Sequence, residues 1–443
     1  MTAAVTLSPV NSPVVGSIRP PGSKSITNRA LICAALATGT SYLSGVLESE
    51  DTSVMTDSLL RLGLNLTHDF SRQTIQLDGC GGVIKNPNAD LYVANSGTTI
   101  RFLCAALAAC HGQFTLDGVP RMRQRPIGDL LVALRQLGCD VQSLNNSDPL
   151  CPPVRIHATG LNGGVAEIAG NISSQYLSGL MMAAPLARQD VELKVNGTLV
   201  SIPYVKMTAA VMRSFGAEVD DRQLHSIRIR STPYTAAQYE IEPDASAASY
   251  FWAAAALTGG AVKVQGLGPS SLQGDVRFVQ VLQNMGCVVN YTSEYLEVIG
   301  PQQERGEKLR GVEVDMSDIS DTVQTLAAVA MFADSPTTVR GVAHNRVKET
   351  DRISDLATEL IRLGAEIEEF PDGLRIVPPE KVNACEIRTY HDHRMAMSLS
   401  LVGLRAAGIT ILDPDCTSKT YPNYWQDLAT LTGCGIERSD RID

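Results

Sequence analysis

The chain has 443 residues, 44% hydrophobic and 19% charged, which suits a globular protein of two or more domains. No run of about 18 apolar residues and no basic segment ahead of an apolar core occurs, so neither a membrane-spanning helix nor a secretory signal is expected. The formal net charge of -10 disfavours nucleic acid and anionic membranes as partners, and we expect a cytoplasmic protein.

The ten cysteines are scattered through apolar stretches, such as Cys33 in LICAALA and Cys104 in FLCAALAAC, and no C-x-x-C motif occurs. A disulfide framework or a zinc site would need clustered cysteines at regular spacing. We therefore expect buried, reduced thiols.

The first polar stretch is GSKSITNR, where Lys24, Ser25 and Arg29 lie near a predicted helix start. A nucleotide-binding Walker A loop requires glycine directly before its lysine, whereas Ser23 separates Gly22 from Lys24. Cations at a helix N-terminus oppose the helix dipole unless an anion binds there. This stretch therefore favours an anion site over a nucleotide loop.

A helix end followed by a strand start recurs six times along the chain, each time around a glycine. These glycines are Gly63, Gly138, Gly216, Gly286, Gly364 and Gly433, spaced by 69 to 78 residues. The residues that precede each glycine by 1, 4, 8 and 11 positions form the apolar stripe of an amphipathic helix, and glycine is the expected C-terminal cap.

Two copies show this stripe clearly, and the last copy shows it weakly. The clear stripes are Ile127, Leu130, Leu134 and Leu137, and Ile353, Leu356, Leu360 and Leu363. In the last copy the same positions hold Pro422, Trp425, Ala429 and Thr432. Six long units predict two similar domains of three units, with a junction near residues 231–245 and a ligand site in the cleft between the domains.

Two further polar stretches of the N-terminal half are NSGTTIR and NISSQYLSGL. Thr98 can offer an N–H and a hydroxyl to an anion, although an ordinary N-cap with a solvated Arg101 is the alternative. The second stretch contains Ser173, Ser174 and Gln175. Both stretches are candidates for ligand binding.

Two stretches are rich in cations. RMRQRPIGDL places three arginines ahead of a helix start, either as an anion site or as a solvated face: Arg121, Arg123 and Arg125. In RVKETDRISDL, Lys348 and Arg352 are four residues apart, which predicts a shared helix face with Glu349 to one side. A helix carrying surface ion pairs is the alternative for this stretch.

The last two stretches are YHDHRMAMSLS and DPDCTSKTYPNYW, the second with Lys419 ahead of a predicted helix. His391 and His393 could bind a metal ion, but no third ligand lies at usable spacing, so we expect none. Cations thus recur at helix starts in both halves of the chain, which predicts that two anionic groups bind.

Together these stretches resemble the EPSP synthase family of enolpyruvyl transferases. The matching motifs run in order over nearly the whole chain: PGSKSITNRALICAALATGTSYLSGVLESEDTSVM, NSGTTIR, RMRQRPIGDLLVALRQLG, SSQYLSGLMMAAPLA, DASAASYFWAAAAL, RVKETDRI, DHRMAMSLSL and DCTSKTYPNYW. The resemblance implies an α/β (α+β) fold of two similar domains, each of three βαβαββ-type repeats around a pseudo-threefold axis. It implies domains of residues 22–240 and of residues 1–21 with 241–443, with the active site in the interdomain cleft.

The implied reaction transfers the enolpyruvyl group of phosphoenolpyruvate to the 5-hydroxyl of shikimate 3-phosphate and releases phosphate. The resemblance implies that no metal or organic cofactor is needed, that the chain is a monomer, and that glyphosate inhibits it. It also implies that residues 22–240 bind mainly shikimate 3-phosphate, while the other domain completes the phosphoenolpyruvate and catalytic site.

The resemblance implies two sets of binding residues. For shikimate 3-phosphate they are Lys24, Ser25, Arg29, Ser173, Ser174, Gln175, Ser201, Tyr204, Asp321 and Lys348. For phosphoenolpyruvate they are Lys24, Asn95, Gly97, Arg125, Gln175, Arg352, Arg394 and Lys419. Arginine suits such groups because its paired donors match phosphate and carboxylate oxygens.

For the chemistry, the resemblance implies that Asp321 accepts the proton of the 5-hydroxyl and that Glu349 donates a proton to the methylene carbon. Lys419 is the alternative donor, and Lys348 and Lys24 lie near the reacting atoms. Addition to a tetrahedral intermediate and elimination of phosphate need both an acid and a base.

The chain departs from the family pattern at His344, where some bacterial members have an asparagine, so a contact to shikimate 3-phosphate there is in doubt. Ser96 and Phe102 also stand where alanine and proline are frequent. Two other functions remain as alternatives: the enolpyruvyl transferase that acts on UDP-N-acetylglucosamine, and a ligand-binding protein that has kept the fold without catalysis.

Overall fold

The computed structural model describes residues 2–170, 173–302 and 305–441, so Asn171 and Ile172 of the NISSQYLSGL stretch lie outside the described residues. The chain divides into two compact units. One unit is Gly22–Glu242, and the other consists of Met1–Pro21 and Pro243–Asp443.

The strands, in chain order, are β1 (Thr2–Leu7), β2 (Val15–Ile18), β3 (Thr38–Ser44), β4 (Asn65–Asp69), β5 (Thr74–Cys80), β6 (Asn88–Tyr92), β7 (His111–Asp117), β8 (Asp140–Ser143), β9 (Val154–Thr159), β10 (Gly164–Ala169), β11 (Val191–Asn196), β12 (Val219–Asp220), β13 (Ser226–Ile229), β14 (Gln238–Glu240), β15 (Ala261–Gln265), β16 (Val288–Tyr291), β17 (Tyr295–Ile299), β18 (Glu313–Asp315), β19 (Thr337–Arg340), β20 (Glu366–Phe370), β21 (Gly373–Val377), β22 (Cys385–Ile387), β23 (Ile409–Leu412) and β24 (Ile436–Arg441). The α-helices are α1 (Lys24–Leu36), α2 (Glu50–Arg61), α3 (Gly97–Ala108), α4 (Gly128–Gln136), α5 (Ser174–Ala183), α6 (Ile202–Ser214), α7 (Ala245–Thr258), α8 (Phe278–Asn284), α9 (Val323–Ala330), α10 (Ser354–Arg362), α11 (His393–Ser400) and α12 (Tyr424–Thr432).

The six sheets formed by the described residues share one topology. In the sheet β6-β7-β9-β8, the first two strands are parallel, whereas β9 runs antiparallel to both β7 and β8. The same pairing recurs in β10-β11-β13-β12, β14-β3-β5-β4, β2-β15-β17-β16, β18-β19-β21-β20 and β22-β23-β1-β24. The repeating element is therefore βαβαββ, as the family resemblance implies.

The N-terminal segment belongs to the unit that contains the C-terminal half of the chain. Strand β2 pairs in parallel with β15, and β1 pairs antiparallel with both β23 and β24. Conversely, β14 at the end of Gly22–Glu242 pairs in parallel with β3 of the same unit. Strands distant in sequence thus complete three of the sheets.

The first helix of each repeat lies in the core of its unit. In one unit α3 packs against α1 and α5, and in the other α9 packs against α7 and α11. Because neighbours surround these helices, they are apolar on most faces, as ASAASYFWAAAALT in α7 illustrates.

The ten cysteines are all free and none is fully exposed. Among the described residues, no helix combines the length and the apolar character that crossing a membrane requires.

The recurring glycine follows the second helix of each repeat, and its φ is positive in all six copies, between 69° and 107°. The predicted stripe residues Leu130, Leu134, Leu356 and Leu360 have no exposed surface. At each of these glycines the chain therefore leaves the helix in a left-handed conformation, which costs little conformational energy for a residue without a β-carbon.

In the last copy the predicted stripe is right for Trp425, which is buried, and wrong for Pro422 and Ala429. Helix α12 buries Tyr424, Trp425 and Leu428, whereas Pro422 is exposed and Ala429 is half-buried. The physical reason is an aromatic cluster, in which the Tyr424 ring lies 5.1 Å from Trp425 and 5.6 Å from Tyr250. These large rings turn the helix so that they face the core.

Replacing two glycines of the same unit should separate backbone strain from crowding. Gly63 and Gly197 have similar φ angles, 86° and 77°. A β-carbon added at Gly63 would lie 2.9 Å from Lys85 Cβ, whereas a β-carbon added at Gly197 would have no atom within 4 Å. We expect Gly197→Ala to lower the free energy of unfolding by about 1–2 kcal/mol and Gly63→Ala to lower it by about 1 kcal/mol more. Urea titration measures both, and equal losses would contradict the crowding argument.

Candidate functional site

The predicted site residues share one position in the repeat, because each lies in the segment that follows one of the two parallel strands of a sheet. These two strands are parallel in every sheet, so their carboxyl ends lie at the same edge. The unit Gly22–Glu242 carries a first set of residues: Lys24, Ser25, Arg29, Asn95, Gly97, Arg125, Ser173, Ser174, Gln175, Ser201 and Tyr204. The other unit carries a second set: Asp321, Lys348, Glu349, Arg352, Arg394 and Lys419.

In the first set, Arg29 is a buried cation that joins three helices. Its guanidinium nitrogens donate to oxygens of α1, α5 and α6: Ser25 O at 2.8 Å, Ser178 Oγ at 3.1 Å and Thr208 Oγ1 at 2.7 Å. Burial among these neutral groups lowers the pKa of Arg29 to about 10, so it stays charged near neutral pH. Lys24 opens α1, with its Nζ 3.5 Å from Asp51 Oδ2.

At Gly97, two guanidinium groups come close to the backbone. A β-carbon there would lie 2.5 Å from Arg125 Nη2 and 2.9 Å from Arg101 Nη1. Arg125 Nη1 also donates to the main-chain and side-chain oxygens of Asn95, at 3.0 and 3.1 Å, and Arg101 Nη1 donates to Gln175 Oε1 at 2.5 Å. Glycine therefore makes room for two cations at the start of α3.

The remaining residues of the first set lie at the starts of α5 and α6. Ser173 caps α5 by accepting from the Gln175 N–H at 3.3 Å, and Ser174 is buried directly after it. Ser201 precedes α6 in a left-handed conformation with a φ of 55°, and Tyr204 lies in the first turn. A non-glycine residue in this conformation costs roughly 1 kcal/mol or more and tends to mark a functional position.

In the second set, Arg352 is buried among three carboxylates. Its donors reach Asp392 at 2.6 and 3.2 Å, Glu349 at 2.9 Å and Asp321 at 3.2 Å. Burial lowers the pKa of Arg352, but the attraction of Asp392, Glu349 and Asp321 outweighs burial and holds this pKa above its usual range. This cation is therefore fixed in charge and in place.

Asp321 lies across two arginines. Its Oδ1 accepts from Arg352, and its Oδ2 accepts from Arg394 Nη2 at 2.7 Å. Arg394 is held in turn at the start of α11, where Asp392 accepts from its backbone N–H at 2.9 Å. Two guanidinium groups that share one carboxylate can also bind the acidic group of a small molecule.

The predicted helix through residues 348–352 is wrong. A 3-10 turn ends at Val347, and α10 begins only at Ser354, so Lys348, Glu349 and Arg352 lie in the loop between them. Arg352 is buried, which an exposed helix face carrying surface ion pairs would not allow. Tertiary ion pairs thus override the local helix spacing. Lys419 is also buried, at the end of a 3-10 turn, Pro414–Lys419, ahead of α12.

His344 is buried beside Ser320, with its Nε2 2.9 Å from the Ser320 hydroxyl. Burial, followed by the charge of Lys348, lowers the pKa of His344 to about 3, so its ring is neutral near pH 7. Asn345, the next residue, donates to the Ser320 carbonyl at 3.0 Å. Both side chains hold the turn that contains Asp321, Ser320–Thr322.

Asp275 is a residue of this region that the sequence analysis missed. It lies in a 3-10 turn, Gly274–Arg277, that packs against the turn containing Asp321, and it accepts a hydrogen bond from the Ser246 hydroxyl. Burial, followed by the charge of Asp321, raises the pKa of Asp275 to about 7. The only sequence signal was the carboxylate in QGDVR, which follows the second strand of a repeat, and hydrophobic periodicity does not single it out.

Within the described part of the chain, no three His, Cys, Asp or Glu side chains are grouped to hold a metal ion.

Comparison with known proteins gives one consistent result. Residues 10–428 match the family model described as EPSP synthase (3-phosphoshikimate 1-carboxyvinyltransferase). A 3-phosphoshikimate 1-carboxyvinyltransferase of Nostoc punctiforme is 49% identical over 417 residues, 94% of this chain and 96% of that protein. A chloroplastic 3-phosphoshikimate 1-carboxyvinyltransferase of Arabidopsis thaliana is 46% identical over 441 residues, 97% of this chain and 84% of its own.

Solved structures agree in fold. The EPSP synthase of Acinetobacter baumannii superposes with a TM-score of 0.80 at 26% identity, covering 99% of this chain and 100% of that one. The enolpyruvyl transferase NikO of Streptomyces tendae has a TM-score of 0.78 at 19% identity, with both chains fully covered, and shows the shared fold alone.

Asp275 generates a pH-dependent prediction. Its pKa is about 7 in the folded chain and about 3.9 when unfolded, so the folded state retains a proton that unfolding releases. The stability contributed by the protonated carboxyl is complete below about pH 4 and is lost as the pH rises towards 7. Relative to Asp275→Asn, which does not titrate, the wild type should lose on the order of 1 kcal/mol per pH unit across this window.

Urea titrations of both proteins between pH 4.5 and 7.5 measure this difference. A difference that is independent of pH, or that favours the wild type as the pH rises, would contradict the raised pKa.

Proposed function

This chain belongs to the EPSP synthase family, and we propose that it uses the two residue sets described above for the reaction of that family. The reaction transfers the enolpyruvyl group of phosphoenolpyruvate to the 5-hydroxyl of shikimate 3-phosphate and releases phosphate, in the biosynthesis of aromatic amino acids. The observation that carries the proposal is the set of hydrogen bonds around Asp321. This carboxylate accepts from both Arg352 and Arg394, and Arg352 also donates to the carboxylate of Glu349. This cluster combines a base, an acid and an anion-binding pair.

For shikimate 3-phosphate, the proposed binding residues of the unit Gly22–Glu242 are Lys24, Ser25, Arg29, Ser173, Ser174, Gln175, Ser201 and Tyr204. The burial of Arg29 supports this role, because a buried guanidinium held by neutral oxygens keeps a positive potential that attracts a phosphate. The starts of α1 and α5 add backbone N–H groups and the positive ends of two helix dipoles. Asp321 and Lys348 are the proposed contacts to the hydroxyl groups of the shikimate ring.

For phosphoenolpyruvate, the proposed residues are Lys24, Asn95, Gly97, Gln175, Arg125, Arg352, Arg394 and Lys419. The lack of a side chain at Gly97 supports this role, because it lets Arg125 and Arg101 lie against the start of α3. Phosphate and carboxylate groups both accept paired guanidinium donors, and the lysines add compact charge.

In the proposed mechanism, Asp321 takes the proton of the attacking 5-hydroxyl and Glu349 protonates the methylene carbon, with Lys419 as the alternative donor. Arg352 and Arg394 each donate a hydrogen bond to Asp321, so an anionic substrate that binds these arginines would compete with Asp321 for their donors. Lys24 and Lys348 are the proposed cations that would stabilise the tetrahedral intermediate and the departing phosphate.

Two other functions predict different behaviour. A transferase for UDP-N-acetylglucosamine has the same fold, but Ser25, Arg29 and the RMRQRPIG stretch stand here where that enzyme differs. A ligand-binding protein without catalysis would need neither Asp321 nor Glu349. A cytoplasmic location and a monomeric state stay predictions from the sequence.

The first experiment measures phosphate release from phosphoenolpyruvate, with shikimate 3-phosphate as acceptor and UDP-N-acetylglucosamine as control. Release should require shikimate 3-phosphate. Asp321→Ala and Glu349→Gln should each lower kcat by about 10²- to 10⁴-fold, the usual contribution of a general acid or base. Glu297→Gln makes the same chemical change on β17, at a surface pair with Lys263, and should leave kcat unchanged. Release with neither acceptor from a folded sample that binds shikimate 3-phosphate would favour the non-catalytic alternative.

We also predict that glyphosate inhibits this chain in competition with phosphoenolpyruvate, because its carboxylate and phosphonate suit the same arginines. Initial rates at several phosphoenolpyruvate concentrations measure this, and the apparent KM should rise with glyphosate while the maximal rate stays constant. A rate that is unaffected at millimolar glyphosate would contradict the prediction.

A further inference from the structure

A buried carboxylate outside both residue sets contacts the loop that precedes Arg394 and α11. Glu359 in α10 has no exposed side-chain surface. Its Oε1 accepts from the Tyr390 hydroxyl at 2.8 Å, and its Oε2 accepts from the Arg388 backbone N–H at 3.2 Å and from Arg362 Nη1 at 2.5 Å. Two of these three donors belong to the loop of residues 388–392, which connects β22 to α11.

The loop of residues 388–392 is held in an unfavourable backbone conformation. Tyr390 and His391 are consecutive residues with side chains, and both have a φ of 55°. Such residues keep this conformation only where the surrounding contacts impose it, and they are concentrated at functional sites. Tyr390 is tied to Glu359, while Nδ1 of the exposed His391 lies 2.7 Å from Asp413 Oδ2. The contact with Glu359 is the buried one of the two.

The loop ends at Asp392, which holds the two arginines proposed to bind phosphoenolpyruvate. Asp392 bonds Arg352 through both carboxylate oxygens and caps α11 at the Arg394 N–H. Arg394 then reaches Asp321. The loop is thus tied in two places to the segment that contains Arg352 and α10, once through Asp392 and Arg352 and once through Tyr390 and Glu359.

We propose that Glu359 and Tyr390 are positioning residues that hold the loop of residues 388–392, and through it the Arg394 guanidinium, in place for phosphoenolpyruvate. This inference rests on the proposed binding of phosphoenolpyruvate by Arg394. The two residues touch no substrate themselves. Stability alone does not account for them, since a buried ionic group is often no more stabilising than an apolar one of similar volume. Their contribution is to fix the position of the loop, because the Arg388 N–H and the Tyr390 hydroxyl both donate to the Glu359 carboxylate.

The test is the steady-state kinetics of Tyr390→Phe, which removes a single hydroxyl. We expect the KM for phosphoenolpyruvate to rise about three- to ten-fold, as for the loss of one hydrogen bond, with kcat and the KM for shikimate 3-phosphate unchanged. Glu359→Gln should act in the same direction. Because both changes break the same tie, the double variant should have a KM close to that of the worse single variant.

Matched controls lie together on β17. Tyr295→Phe and Glu297→Gln make the same chemical changes in the same unit, and both should leave each kinetic constant unchanged. An unchanged KM for phosphoenolpyruvate in Tyr390→Phe overturns the inference. So does an equal change in both KM values, or a fall in thermal midpoint alone, since a purely structural role produces either result.

Arg394→Gln separates failure of the inference from failure of the proposed function. A raised KM for phosphoenolpyruvate in Arg394→Gln, without an effect of Tyr390→Phe, overturns the inference alone. An unchanged KM in Arg394→Gln overturns the assignment of Arg394 to phosphoenolpyruvate, and with it any positioning role that acts through this arginine.

Discussion

The pairing of two parallel strands at the start of each repeat is the constraint on which the rest of the structure depends. Parallel neighbours cannot be joined by a tight turn, so the chain must cross over. In four of the six sheets of the described residues a helix makes the crossing, and in the other two the parallel partner comes from a distant part of the chain. The segments that follow both strands therefore emerge at one edge of the sheet. Every residue to which a role in binding or chemistry is assigned lies in such a segment, while the antiparallel hairpins of the same sheets supply none. Function and framework are thus separated within a single repeat.

The two units treat their buried cations differently. In Gly22–Glu242, Arg29 rests on hydroxyl and carbonyl oxygens, and burial lowers its pKa to about 10. In the other unit, Arg352 is surrounded by Asp321, Glu349 and Asp392, which hold its pKa above the usual range. The first arrangement leaves positive potential for a phosphate, whereas the second pairs its cation with three carboxylates. This difference is consistent with the proposed roles, phosphate binding in one unit and proton transfer in the other.

Local sequence signals predicted the framework better than the site. The glycines and apolar stripes worked because a helix cap and a buried face are decided within one turn or two, except in α12, where aromatic rings turned the helix. The stretch 348–352 was predicted as a helix because spacing of four is a local signal. Its conformation instead depends on Asp321 and Asp392, which are 31 and 40 residues away from Arg352. Asp275 was missed since a lone carboxylate reveals neither its burial nor its neighbours. The family resemblance, not periodicity, assigned roles to individual side chains.

The placement of β1 has a consequence for the order in which the chain is assembled during synthesis. This strand is synthesised before every strand of Gly22–Glu242, yet its two neighbours, β23 and β24, are synthesised after all of them. Every strand of Gly22–Glu242, by contrast, is available once residue 242 has emerged. A nascent chain can therefore complete that unit while β1 waits unpaired, and the sheet around β1 closes only after β23 and β24 have emerged. Deleting β24 would leave β1 exposed along an open edge.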